Sequence, residues 1–259
     1  MVYSNKISRA IRFAITTHEV YQKQKRKGKD IPYITHPLTV GLILSRAGAS
    51  EDVIAAGILH DTIEDSVPEK EVTHALLAKR FGTNVADLVL SVTEIYKALS
   101  WDERKTAALV SIRRYTHDSL LVKSADVISN GSELVEDYKH DGDAVFARFN
   151  AQREKVIRHY VQVITTIREQ WSENPLLSDL QRVASDLQAI ASIYFLNEYP
   201  AHVIEYQDYS EDMPLRCPVC GWNGTPKESG WIEHYDDLFD VSCPNCEKML
   251  LVVSYPLLK

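Results

Sequence analysis

Val53-Ile54-Ala55-Ala56-Gly57-Ile58-Leu59-His60-Asp61-Thr62-Ile63-Glu64-Asp65 decides how this chain is read. Seven apolar residues lead into a histidine, an aspartate and, one helical turn later, two more carboxylates. Charged groups almost never enter a buried stretch unpaired, so this density of imidazole and carboxylate needs a partner. If a helix presents His60 and Asp61, both can ligate one divalent cation, and Glu64 and Asp65 return to the same face at the i+3 and i+4 positions. Any one of these residues alone would read as a satisfied surface or core group. His36 upstream and Asp126 downstream extend the set to two imidazoles and two aspartates. Such a mixed nitrogen and oxygen donor set suits manganese, iron or zinc and leaves coordination positions for water and substrate. A site of this kind is hydrolytic: the metal acidifies its water, and Glu64 and Asp65 are placed to orient or deprotonate it. The alternative for those two residues is a solvated acidic helix end, since Ser66-Val67-Pro68 follows.

Working outward, residues 4 to about 200 carry helical periodicity, as in Ile7, Ala10, Ile11, Ala14 and Ile15. His36 falls at a loop-to-helix junction, because Pro32 and Pro37 exclude a helix interior and Pro37 suits a first turn. Helices are expected over 38–47, 51–65, 69–81, 84–93, 102–115, 119–130 and 143–172, with a further amphipathic one after Pro175. Gly48 and Gly82 stand where helices should stop. On the 119–130 helix, Lys123 and Asn130 lie at i−3 and i+4 of Asp126. One face then offers a cation, a metal ligand and an amide, a grouping that suits a phosphorylated ligand; a surface lysine simply paired with Asp126 is the plainer reading.

From about residue 200 the chain changes character. Prolines punctuate short strands expected at 230–235, 238–242 and 249–255, around Cys217-Pro-Val-Cys220 and Cys243-Pro-Asn-Cys246. Two C-x-x-C pairs match a tetrahedral four-thiolate zinc site, Cys217, Cys220, Cys243 and Cys246, and two disulfides fit the short spacings poorly. The fold class expected is therefore mainly α, a helical domain over 1–200 followed by a small β-rich zinc ribbon over 201–259, with the 176–200 helix assignable to either.

The chain has 259 residues and a net charge of −7, which argues against broad binding to nucleic acid. Lys23, Lys25, Arg26, Lys27 and Lys29 nevertheless form a local basic patch for an anionic ligand. No secretory leader and no apolar run near the length of a membrane span is visible, so a soluble, cytoplasmic protein is expected. The acidic run Glu233-His234-Tyr235-Asp236-Asp237 speaks against nucleic acid at the ribbon, whereas a protein partner, an internal brace or a homo-oligomer stays open.

Taken together, Gln24-x-Arg26-Lys27, Pro32-Tyr33-Ile34-x-His36-Pro37, Ala55-Ala56-x-x-Leu59-His60-Asp61-Thr62-Ile63-Glu64-Asp65, Val92-Thr93, Asp102-Glu103-Arg104-Lys105 and Val122-Lys123-x-Ala125-Asp126-x-x-x-Asn130 resemble the HD-domain alarmone hydrolases of the stringent response. The likeness spans about residues 5 to 165, and it is to the small, hydrolase-only form. The resemblance implies an HD-domain helical bundle that removes the 3′-pyrophosphate of guanosine tetra- or pentaphosphate, giving GDP or GTP, with Mn2+. It further implies metal ligation by His36, His60, Asp61 and Asp126 and water activation by Glu64 and Asp65. Arg26 would lie against guanine, Lys27 and Lys123 would neutralise phosphates, Asn130 would contact the nucleoside, and Tyr160 would lie near the sugar. The chain departs from the family in Val127-Ile128-Ser129-Asn130-Gly131-Ser132, where a basic residue and an Asn-Leu-Arg-like ending are usual, and in the added zinc ribbon. Two other functions are compatible with the same residues: hydrolysis of another nucleotide such as the 2′-phosphate of NADPH, and non-catalytic nucleotide sensing with the ribbon as adaptor.

Overall fold

In the computed structural model, residues 5–94, 99–198, 202–217, 219–235 and 238–255 are described, without the side chains of 191–203. The expected acidic run from Glu233 therefore falls partly outside the described residues, at Asp236 and Asp237. Contacts divide the chain into two compact units, residues 1–188 and 189–259, with the division inside the last long helix.

The first unit is helical. Helix α1, Asn5–Ile15, runs into a π-helical turn, Thr16–Tyr21, and a hairpin-like loop follows in which Arg26 N–H donates to Ile31 O and Tyr33 N–H to Gln24 O. Then come α2, Thr35–Arg46, α3, Glu51–Leu59, and a single turn α4, Thr62–Asp65. Helices α5, His74–Phe81, α6, Thr83–Val92, and α7, Trp101–Ile112, lead to the longest, α8, His117–Asp141. A 3-10 stretch, Gly142–Arg148, precedes α9, Arg153–Gln170, and α10, Leu177–Glu198.

Local chemistry sets these boundaries. Ser50, Thr73, Ser100 and Thr116 each accept a hydrogen bond from a first-turn N–H of the helix that follows, each such cap being worth about 1 kcal/mol. Helix α3 is the centre: every residue from Val53 to Leu59 is buried, which is why its sequence shows no polar face. It packs against α1, α2, α6 and α8, so the ligands at its C-terminal end are held by the best-packed element of the unit.

Several expected boundaries need correction. A continuous 51–65 helix is not what forms: the ladder breaks at His60 and Asp61, and the Thr62 hydroxyl donates to Leu59 O. A Ser, Thr or Asp side chain that bonds the neighbouring backbone competes with helical propagation in this way. The 119–130 helix continues to Asp141, because Leu134 and Val135 keep its buried face going. The 143–172 helix is divided, with its first part tightening into 3-10 turns and Phe149 extended before α9 begins. The 69–81 helix shortens to α5 behind a 3-10 turn over Pro68–Lys70.

The second unit is β-rich. Strands β1, His202–Glu205, β4, Ile232–His234, β5, Leu238–Ser242, and β6, Met249–Ser254, form one sheet in the order β1-β6-β5-β4; β1 pairs parallel to β6 and the other pairs are antiparallel. A short hairpin, β2 Leu215–Arg216 with β3 Asn223–Gly224, and a one-turn helix α11, Pro226–Ser229, complete it. Strands β1, β2 and β3 lie outside the expected strands, and β2 and β3, of two residues each, are too short to show an alternating pattern. The core of this unit is small: Leu215, Phe239, Val241, Leu250, Leu251 and Val253 with two of the cysteines. Among the described residues no helix is long and apolar enough to cross a membrane.

Candidate active site

Each of the four expected metal ligands is delivered by a different local device. His36 sits in the first turn of α2, His60 and Asp61 in the break after α3, and Asp126 on the inner face of α8. His60 donates from Nδ1 to Gly57 O at 2.8 Å, a carbonyl of its own helix, which turns Nε2 toward the carboxylates. His36 Nδ1 lies 2.9 Å from Ser129 Oγ, a bond that likewise turns Nε2 inward. Fixing one ring nitrogen to hold the other as ligand is the usual arrangement around metal-binding imidazoles.

The free atoms converge. His36 Nε2 is 3.3 Å from His60 Nε2 and 3.3 Å from Asp126 Oδ1; Asp61 Oδ2 is 3.0 Å from His60 Nε2 and 3.7 Å from His36 Nε2. Donor atoms of His36, His60 and Asp126 all lie within 4.8 Å of one another, a spacing that can hold a cation. Two imidazole nitrogens facing each other among carboxylates, with both histidines nearly fully buried, fit a divalent ion better than any set of direct contacts. Burial pushes the Asp61 and Asp126 carboxyls up, yet the neighbouring His60, His36 and Lys123 hold both well below the ordinary range, so the anionic form is kept.

Glu64 and Asp65 line the same cavity as Asp61. Glu64 accepts from the Glu94 N–H at 3.2 Å, and Asp65 accepts from the Gln24 amide at 2.9 Å. Gln24 is itself held by the buried His18, on the π-helical turn, whose Nδ1 donates to Gln24 Oε1 at 3.0 Å. A chain of two hydrogen bonds thus positions Asp65 from an irregular turn of the kind often found beside functional sites. Burial, followed by the charges of Asp61 and Asp65, pushes the Glu64 carboxyl up to about 7. A bound cation would act in the opposite sense.

The expected substrate residues lie around this centre, and the structure commits several of them to one another. Lys123 Nζ donates to Asp126 Oδ2 at 2.8 Å and Asn130 Nδ2 to Asp126 Oδ1 at 2.6 Å, which is the i−3 and i+4 grouping foreseen on α8. Arg26 donates to Asn130 Oδ1 at 2.7 Å, pairs with Glu133 and lies 5.4 Å from the centre of the Tyr33 ring. Its stacking partner here is therefore a tyrosine of the chain. Lys27 lies over the Phe149 ring at 5.4 Å. Lys27, Lys123, Asp126, Asn130 and Tyr160 share a cavity of about 310 Å³.

Residues to which the sequence reading gave no role, Arg104 and Lys105 of a quoted motif among them, complete that cavity. Trp101, Arg104, Lys105, Phe149 and His159 line it, and Arg104 and Lys105 both pair with Glu94, the residue whose N–H holds Glu64. Burial, followed by Lys105 and Lys123, pushes His159 down to about 3, so it stands neutral among cations. Tyr33 donates to Asp61 Oδ2 and Ser129 Oγ stands beside His36 Nδ1; Tyr33 and Ser129 lie within quoted motifs, but only tertiary contact shows what they touch. Gly28, at φ +74°, lets the basic loop approach Arg148, where a Cβ would come within 2.6 Å of Cδ.

A second donor cluster is formed by the four cysteines. Sγ atoms of Cys217 and Cys246 are 3.5 Å apart and those of Cys220 and Cys243 3.4 Å, with all four within 4.8 Å and none in a disulfide. Sulfurs at about 2.3 Å from one zinc stand about 3.8 Å apart, so the cluster fits a tetrahedral ion. Each pair is a knuckle of the same form: Gly221 N–H donates to Cys217 O and Glu247 N–H to Cys243 O, and both Gly221 and Glu247 take positive φ.

Comparison with known proteins agrees with this geometry. The family model for the HD domain matches residues 10–157. A guanosine-3′,5′-bis(diphosphate) 3′-pyrophosphohydrolase of Aquifex aeolicus is 42% identical over 95 residues, covering 37% of this chain and 12% of that protein. The enzyme of the same name, MESH1, from Xenopus tropicalis is 35% identical over 130 residues, covering 49% of this chain and 69% of that protein. The chain thus spans a small part of the first relative and about two thirds of the second. In fold it is similar to the solved structure of a metazoan ortholog of SpoT that hydrolyzes ppGpp, with a TM-score of 0.52 at 22% identity over 77% of this chain and 99% of that one. With its His-Asp cluster formed by α2, α3 and α8 inside the matched segment, the chain belongs to the HD-domain family.

Proposed function

We propose that the chain is a divalent-metal-dependent hydrolase that removes the 3′-pyrophosphate of guanosine tetra- or pentaphosphate, giving GDP or GTP. One observation carries this reading: two inward-facing imidazole nitrogens and two aspartates converge beside two further carboxylates, and the adjoining cavity is lined by Lys27, Arg104, Lys105 and Lys123. Four cations around one nucleotide-sized space suit a ligand with several phosphates. The names of the relatives, guanosine-3′,5′-bis(diphosphate) 3′-pyrophosphohydrolases, support the substrate.

In this proposal His36, His60, Asp61 and Asp126 hold the metal, for which the mixed donor set favours manganese over magnesium. When bound, it supplies an acidified water and polarises a phosphoryl oxygen. Glu64, fixed by the Glu94 N–H, and Asp65, fixed by Gln24, then take the proton of the attacking water. The water oxygen joins the 3′-phosphorus as the bond to the sugar 3′-oxygen breaks, and that oxygen leaves as a hydroxyl with the proton that Glu64 or Asp65 took from the water. Lys123, held by Asp126, and Lys27 offset the phosphate charge; Arg26, Asn130 and Tyr160 line the nucleoside end. The four cysteines take zinc, and thiols kept unoxidised for that purpose suit a cytoplasmic protein. The domains follow as an HD unit over 1–200 and a ribbon over 201–259, the ribbon serving as brace or protein contact.

The test is a substrate panel. Purified protein with manganese is given guanosine tetraphosphate and NADPH side by side, and products are separated by chromatography. GDP with pyrophosphate is the expected result; release of phosphate from NADPH alone overturns the substrate, and no turnover of either overturns the enzymatic reading.

A further inference from the structure

A second concave surface lies on the first unit, and its lining shares no residue with the cavities around the metal cluster. It has a volume of about 680 Å³ and is walled by α1, the π-helical turn and the segment from Lys70 to Phe81. Five cations surround it: Arg9, Arg12, Lys70, Lys79 and Arg80. Glu71 is the single carboxylate in the lining, in a chain whose net charge is −7.

Two features separate this surface from ordinary solvated charge. None of the five cations has an ion pair among the described residues, although most other cations around the metal site do. Three of them are positioned instead by rings: Arg80 lies 5.4 Å from the centre of Phe13, Lys70 5.7 Å from Tyr21 and Arg9 6.0 Å from Phe81. A ring orders a cation without neutralising it, so the charge stays available to a ligand. Like charges gathered without counter-ions repel one another, a cost that an anion would relieve. Between the cations the floor is apolar, with Val72 and Phe81 buried.

We propose that this groove is a second, non-catalytic site for a polyphosphorylated nucleotide, the phosphates meeting the cations and the base lying on the apolar and aromatic floor. Its volume lies within the range of small-molecule sites, and its concavity favours a compact ligand over an extended acidic chain. The inference is independent of the reaction assigned to the metal cluster.

The test uses the full zinc-loaded chain and a fluorescent ATP analogue carrying an N-methylanthraniloyl group, with inorganic tripolyphosphate as competitor. Lys123→Ala is introduced to weaken the first site. Binding of the analogue should survive Lys123→Ala and be displaced by tripolyphosphate. The pair Arg12→Glu and Lys79→Glu, neither of which covers a ring, should weaken it by about tenfold or more in both backgrounds, while turnover measured without the analogue stays the same. Arg12→Gln with Lys79→Gln should give a smaller loss, and circular dichroism reports that each variant is folded. Unchanged affinity in the folded charge-reversal variant overturns the proposal. So does complete loss of binding with Lys123→Ala, which would leave a single site, and so does binding of labelled poly-glutamate with no binding of the nucleotide, which would make the groove a protein contact.

Discussion

Asp61 illustrates how much one side chain is asked to do: it faces both histidines and accepts a hydrogen bond from Tyr33. Asp61→Ala should abolish metal binding at this cluster, measured as metal content after desalting, because it removes a ligand and leaves two buried imidazoles facing each other. Glu64→Gln should keep the metal and lower kcat by about 10²- to 10⁴-fold, the usual loss for a proton-transferring group; full activity would end its assignment. Ser129→Ala removes only the bond that orients His36 and should weaken metal affinity by about 10- to 100-fold. His159 supplies a pH signature. Its folded pKa lies near 3, below the ordinary 6.5, so the unfolded chain binds the extra proton between these values. The stability it contributes is present above about pH 6.5 and is lost as pH falls toward 3. His159→Phe should flatten that part of a pH series of thermal melts.

At the scale of elements, the site depends on where helices stop. Had α3 run on through Asp65, Asp61 would stand about 100° around the axis from His60; the helix breaks there, with Thr62 donating to Leu59 O, and Asp61 faces both His60 and His36. Helix α8 does the converse. Its uninterrupted length carries Lys123, Asp126, Ser129 and Asn130 in the periodicity that the sequence displays, which is why that grouping could be read in advance. Its approach to α10 depends on Gly131, where a Cβ would lie 2.5 Å from Val183 Cγ1. Gly131→Val should therefore cost about 1–3 kcal/mol and lower Tm by several degrees, measured by calorimetry. A wild-type melting curve would show that α8 and α10 separate without cost.

Across the whole molecule, two donor clusters that could hold metal ions belong to two units of different make. The helical unit has a broad apolar core centred on α3, whereas the β-rich unit has few core residues besides its cysteines. A unit of that size would draw folding free energy from a metal held by its four cysteines. Cys217→Ser with Cys243→Ser should remove zinc and the hydrogen-exchange protection of β5 and β6, while the His-Asp cluster still binds its own metal; retained protection without zinc would contradict this. By itself the sequence pointed to the helical class, the four-cysteine cluster, and the six residues His36, His60, Asp61, Glu64, Asp65 and Asp126, since ligand chemistry and helical spacing are local properties; the fold then gathers those six around one centre. Tertiary structure alone decided that Arg26 is committed to Glu133 and Asn130, that Ser129 orients His36, and that Trp101, Arg104, Lys105 and His159 close the second cavity. Those contacts join residues from separate helices, and no period along the chain records which helices will pack together.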